Sequence, residues 1–231
     1  MKKLTSIIAF LLFGAATLSA QNAFVGGNTA WTIALQGGPM YSINENGFSY
    51  RDHGKGINLF TFQGSAAVGY EFTSALGVRL SVGYGKNPAA ANSLDTGGGF
   101  YPYSFRSVNA FVDGTLDLNG NYGIQQTFRP RFYLGVGLGH TFHFTDSGHP
   151  WQEAYITKKN TVFGFRGGFI GEFDLTDSFG LFGDLGLEAY NDKYNGLEPT
   201  KHDQSYFKGY GGFPFDLRFT LSFGIIFRFN D

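Results

Sequence analysis

From Phe215 to Phe229 the chain alternates apolar and polar residues almost without a break. Phe215, Leu217, Phe219, Leu221, Phe223, Ile225, Phe227 and Phe229 occupy one parity. Asp216, Arg218, Thr220, Ser222, Gly224 and Arg228 occupy the other, where Ile226 is the only apolar residue. Side chains on a strand point to opposite faces in turn. The segment is therefore a strand with one apolar and one charged face. A tilted strand of roughly 9–11 residues crosses a bilayer, and this one is long enough. In lipid each unpaired N–H and C=O costs several kcal/mol, so a spanning strand must belong to a sheet without edges. The pattern predicts an all-β, transmembrane barrel.

The same alternation recurs upstream and divides the chain into eight segments: 30–41, 58–72, 77–86, 106–118, 130–144, 161–175, 180–190 and 214–229. In 130–144, for example, Phe132, Leu134, Val136 and Leu138 oppose Arg131, Tyr133, Gly135, Gly137 and Gly139. The connections alternate in length. Residues 73–76 and 176–179 are tight turns and 119–129 is longer, whereas 42–56, 87–105, 145–160 and 191–213 are long and polar. Bacterial barrels keep short turns in the periplasm and long loops outside. The expectation is an eight-stranded antiparallel up-and-down barrel with four outer loops. A soluble barrel of lipocalin type would turn the apolar parity inward. Eight strands enclose a space only just filled by side chains, so this many Phe and Leu fit better on the convex surface.

Residues 1–20 lie outside that pattern. Lys2 and Lys3 precede an apolar run, 7–16, and Leu18-Ser19-Ala20 supplies a small residue for cleavage. This is the layout of a secretory signal peptide, implying export through the inner membrane and leaving 21–231 as the barrel domain. The chain has no Cys, which excludes disulfides, thiolate metal sites and a lipoprotein anchor. With 17 basic and 18 acidic residues it carries no electrostatic footprint for nucleic acid. Gly 35, Phe 27 and Tyr 13 are high, as expected of strands with a lipid face and a crowded lumen.

In strand count, loop asymmetry and last strand the chain resembles the small outer-membrane β-barrel family, the OmpA-like and OmpX-like proteins of porin type in Gram-negative bacteria. That family ends in a β-signal of polar-x-Gly-x-x-apolar-x-apolar. Residues 222–229 match it, with Ser222, Gly224, Phe227 and Phe229 at the defining positions. Asn230 and Asp231 extend past the final aromatic where many relatives stop. The resemblance implies a bacterial outer-membrane location. It also implies the barrel-assembly machinery, outer-membrane lipid and lipopolysaccharide as partners. No segment remains for a peptidoglycan-binding domain, so wall anchoring is not expected.

Candidate chemistry is thin. Barrel-type lipid A deacylases use a His-x-Ser pair near the outer leaflet. Here the nearest run is His140-Thr141-Phe142-His143-Phe144-Thr145-Asp146, with Phe142 where the nucleophile is needed. Its parity puts His140 outward and His143 inward. The histidines, including His53, His149 and His202, form no readable four-ligand set. Glycine runs at 97–99 and 209–212 lack the Lys and helix of a phosphate loop. No catalytic, cofactor or metal site is expected. The reading is a non-enzymatic barrel with a structural or surface-interaction role, its outer loops available to an extracellular ligand. A narrow channel and a lipid A-modifying enzyme are the alternatives. Aromatic loop residues such as Trp151 and Tyr194 fit either a membrane girdle or a binding surface.

Strand register extends the reading into the lumen. If the first tight turn pairs Thr73 with Gly77, Glu71 faces Arg79. If the loop near Gly98 folds symmetrically, Asp117 flanks Arg79 on its other side. Arg131, Glu172, Asp174 and Arg228 then continue a ring of alternating sign at the periplasmic end. The turn at 176–179 places Arg166 beside Glu188. Such a ring neutralises buried charge and plugs the lumen.

Overall fold

The computed structural model describes residues 29–43, 60–93, 99–119, 127–145, 159–191, 194 and 215–230. The signal segment 1–20, Trp151, His53, His149, His202, the glycine runs at 97–98 and 209–212 and most of the four long loops lie outside these residues. Eight strands follow in order: β1 Ala30–Ile43, β2 Phe60–Glu71, β3 Leu76–Ser93, β4 Gly99–Asp117, β5 Phe128–Thr145, β6 Lys159–Thr176, β7 Phe179–Asn191 and β8 Phe215–Asn230. Each pairs antiparallel with its sequence neighbour, and β8 returns to β1, closing the barrel.

The alternation sorts residues as expected. Outward positions carry a belt of exposed apolar side chains on every strand, including Phe62, Leu80, Leu134, Phe163, Leu185 and Phe223. Inward positions hold Gly, Ser, Thr, Asn, the acidic residues, most of the arginines and a few large aromatics. Ile226, the apolar exception on the polar face of β8, packs inside against Ala34, Tyr133, Ile170 and Phe182.

Three local features depart from the expected layout. β3 and β4 run seven residues further than the alternation suggests, into a stretch expected to be loop. There Asn87 donates to Ser107 Oγ at 2.9 Å, and Ala89 packs with Tyr103 and Phe105. Beyond the apolar belt a ladder no longer needs a lipid-facing parity, so the pattern that marks a strand disappears. The turn after β2 is also centred one residue earlier than expected. Thr73 Oγ1 accepts from the amides of Ala75 and Leu76, and this hydroxyl-capped turn pairs Glu71 with Gly77. Finally, β5 carries one extra residue opposite Ser104–Arg106, with His143 at φ 51°. The bulge reverses parity: His143 is exposed rather than inward, and Phe144 turns in to stack on Phe105 at 5.4 Å.

Gly224 has a second reason to be small. A Cβ there would overlap the Leu35 carbonyl oxygen and sit 2.6 Å from the Phe182 ring. Phe229, by contrast, is exposed and lies opposite Trp31 on the outward face. Gly224→Leu is therefore expected to reduce both the assembled amount and the stability of what assembles. Phe229→Ala should reduce assembled barrel in cells while leaving its unfolding free energy within about 1 kcal/mol of wild type, as for most surface changes. Quantitative gel analysis of membranes, with urea titration of purified barrel, separates the two; wild-type assembly of Phe229→Ala would remove the targeting role.

Candidate functional site in the barrel lumen

Two charged networks and two packed clusters fill the lumen. The first network lies at the short-turn end. Arg131 reaches across to Glu71 at 2.6 Å and lies 3.5 Å from Asp117 and 3.4 Å from Glu172. Arg129 joins Asp117 at 2.8 Å and Glu71 at 3.3 Å. Arg228 pairs with Glu172 and, at 2.6 Å, with Asp174. Glu71, Asp117, Arg131, Glu172, Asp174 and Arg228 thus lie together, as the register argument expects. Arg79 does not lie with them.

Its absence follows from register. The tight turn pairs Arg79 with Gly69, not Glu71, and the β3–β4 ladder pairs it with Asp113, not Asp117. Both slips are even numbers of residues, so facing is preserved while Arg79 moves to a second network. Arg129 takes its place in the ring. The alternation leaves this arginine in the connection between the fourth and fifth strands, but β5 begins at Phe128 and gives it inward parity.

The second network follows one row of the ladder. Arg79, Asp113, Gly135, Arg166, Glu188 and Arg218 are successive partners from β3 to β8. Arg166 and Glu188 are opposite each other, as expected from the 176–179 turn, but their side chains part. Gly135 has no side chain on β5, so the Asp113 carboxylate lies where its Cβ would be and meets the Arg166 guanidinium, with Nε donating at 2.6 Å. Asp113 also accepts from Arg79 Nε at 2.9 Å, and Arg79 lies 3.7 Å from Asp184. Glu188 belongs to Arg218, at 3.4 Å. Rings complete the shell: Arg79 lies 4.4 Å over Tyr133 and Arg166 4.6 Å over Phe111. Tyr133 donates its hydroxyl to Asp184 at 2.9 Å.

Between the networks lies a cavity of about 30 Å³, lined on its polar side by Glu71, Arg79, Arg131 and Glu172. That is room for roughly one or two waters. Toward the loop end, Tyr194 enters the lumen from the segment after β7. It stacks flat on Tyr190 at 3.9 Å, donates to Asn109 Oδ1 at 3.0 Å and accepts from Arg218 at 2.5 Å. Above it Tyr103, Phe105, Phe144 and Val162 pack together. Asp113, Asp184, Arg218, Tyr190 and Tyr194 are lumenal partners that the register argument misses. Inward parity is the available signal for the first four; nothing in the pattern points a loop tyrosine inward.

His140 is exposed on the outward face, and its Nδ1 lies 2.8 Å from Thr161 Oγ1. Among the described residues no group of His, Asp and Glu is placed to hold a metal ion.

A barrel closed by eight up-and-down strands, apolar outside and ion-paired inside, has solved counterparts. A major outer-membrane protein of Thermus thermophilus superimposes with a TM-score of 0.55 at 18% identity, over 87% of this chain and 99% of that one. The fold is that of the small outer-membrane β-barrels. The outer-membrane protein OprG of Pseudomonas aeruginosa superimposes with a TM-score of 0.50 at 11% identity, over 89% of this chain and 97% of its own. No family model matches the chain, and no curated protein does.

Proposed function

We propose that the chain is an integral barrel of a bacterial outer membrane whose lumen is closed and whose role is structural or surface-interactive, exercised through its outer loops and not by catalysis. The observation that carries this reading is the division of side chains. An exposed apolar belt encircles the barrel while every Asp and Glu of the strands faces inward. Exposed apolar surface on that scale needs lipid. Closure of the lumen is supported by residues that bridge it: Arg131 to Glu71, Arg79 to Asp184, and Arg218 to Gln63.

The signal segment, export route, assembly machinery and lipid partners expected from the sequence belong to the same proposal. Refolded into vesicles, the mature chain should migrate differently on gels before and after boiling. In planar bilayers it should give no steady unit conductance. A reproducible open level would favour the narrow channel, and recovery in the soluble periplasmic fraction would end the membrane reading. Lipid A from expressing cells should keep its mass; a lost acyl chain would favour the enzyme.

A further inference from the structure

The strands sort their charges by side. All their carboxylates and the arginines of the two networks face the lumen, leaving Lys86, Arg106 and Lys159 as the lysines and arginines of the outward face. All three lie toward the long-loop ends of β3, β4 and β6, and all are exposed. The ladder puts them in one row: Lys86 opposite Arg106, Arg106 opposite Phe142, and Phe142 opposite Lys159. With neighbouring strands ~4.8 Å apart the row spans about 14 Å. Like charges directly across a ladder repel. Among the described residues no carboxylate relieves this row, for none of the three is in an ion pair. The opposite half of the barrel carries Tyr41, Phe60, Phe62 and Phe219 at this end of the outward face.

We propose that this row binds the phosphate-bearing headgroup of a lipid in the outer leaflet, whose acyl chains lie on the belt below. The proposal rests on the reading of the chain as an outer-membrane barrel. Charge complementarity selects an anion, and Arg106 with two lysines suits phosphate in particular, through a guanidinium fork flanked by point charges. Continuity with the belt selects a lipid over a free ion. Tyr84 is the next outward residue below Lys86, Val108 the next below Arg106, and Phe163 lies two outward positions below Lys159. Lysine stems lie along apolar surface while their ammonium groups stay at the interface.

Native mass spectrometry of the detergent-solubilised, heat-modifiable barrel tests the assignment. Wild type should retain diphosphoryl lipid A about tenfold better than phosphatidylcholine, as several charge-assisted contacts imply, with monophosphoryl lipid A between them. The triple variant K86Q/R106Q/K159Q should lose that preference yet keep wild-type yield and gel shift, since these side chains have no ion partner among the described residues to strand. Inorganic phosphate at the same concentration should not displace the lipid. Equal retention by wild type and the folded triple variant overturns the proposal. Displacement by inorganic phosphate alone also overturns it, since the row would then be a site for soluble anions. A chain giving no heat-modifiable barrel removes the membrane reading and the lipid site together.

Discussion

Asp113→Leu should lower folding stability by about 3–5 kcal/mol, the range for breaking a buried ion pair by removing one partner. Asp113 is fully buried and holds Arg79 at 2.9 Å and Arg166 with both carboxylate oxygens. Leucine would leave two guanidinium groups in the middle of the lumen, each with an aromatic ring on one side. Asp184, 3.7 Å from Arg79, already accepts from Tyr133. Asp113→Asn keeps an acceptor oxygen and loses the charge, so its cost should be smaller, about 1.5–3 kcal/mol. Urea titrations of the vesicle-embedded barrel, read by the gel shift, measure both. A midpoint for Asp113→Leu equal to that of wild type would mean that the arginines are hydrated in place and the lumen is wet.

The second large effect lies nearer the outer end. Arg218 is almost completely buried and joins Glu188, Gln63 and Tyr194. Arg218→Leu strands Glu188, and Glu188→Leu strands Arg218, so each single change should cost about 3–5 kcal/mol. The double variant removes both charges at once. Its loss should fall short of the sum of the singles by more than about 1 kcal/mol, a coupling of the size contacting residues show. Strict additivity would show that the two groups are solvated independently. Because Arg218 also donates to Tyr194, the Arg218 variant should additionally loosen the residues next to β7, read as faster proteolysis of that loop at unchanged barrel yield.

Strand number, order and facing were legible because a two-residue period is a direct image of a barrel wall. Register was legible only where the turn was unambiguous. At 176–179 the pairing of Arg166 with Glu188 follows from turn length. At 72–75 it depends on which backbone amides the Thr73 hydroxyl caps, and a slip of two residues sent Arg79 to a different network. Side-chain partners were harder still. Arg166 passes its ladder neighbour for Asp113 because Gly135 leaves the way open, a choice made by space and not by adjacency. The bulge at His143 and the inward turn of Tyr194 left no periodic trace.

Several polar bridges of the lumen skip over strands of the wall: β2 to β5 through Glu71 and Arg131, β3 to β7 through Arg79 and Asp184, and β2 to β8, across β1, through Gln63 and Arg218. A ribbon of the same strands, with β1 and β8 still separate, holds every ladder bond but one set and almost none of these bridges. Its arginines would face an open wet groove, hydrated and holding only acids of adjacent strands, as Arg79 holds Asp113 and Arg218 holds Glu188. Latching the last seam dries them all in a single event, so closure is all-or-none. The reverse step must hydrate the whole set before any strand can leave, which places the barrier to unfolding at the opening of the seam.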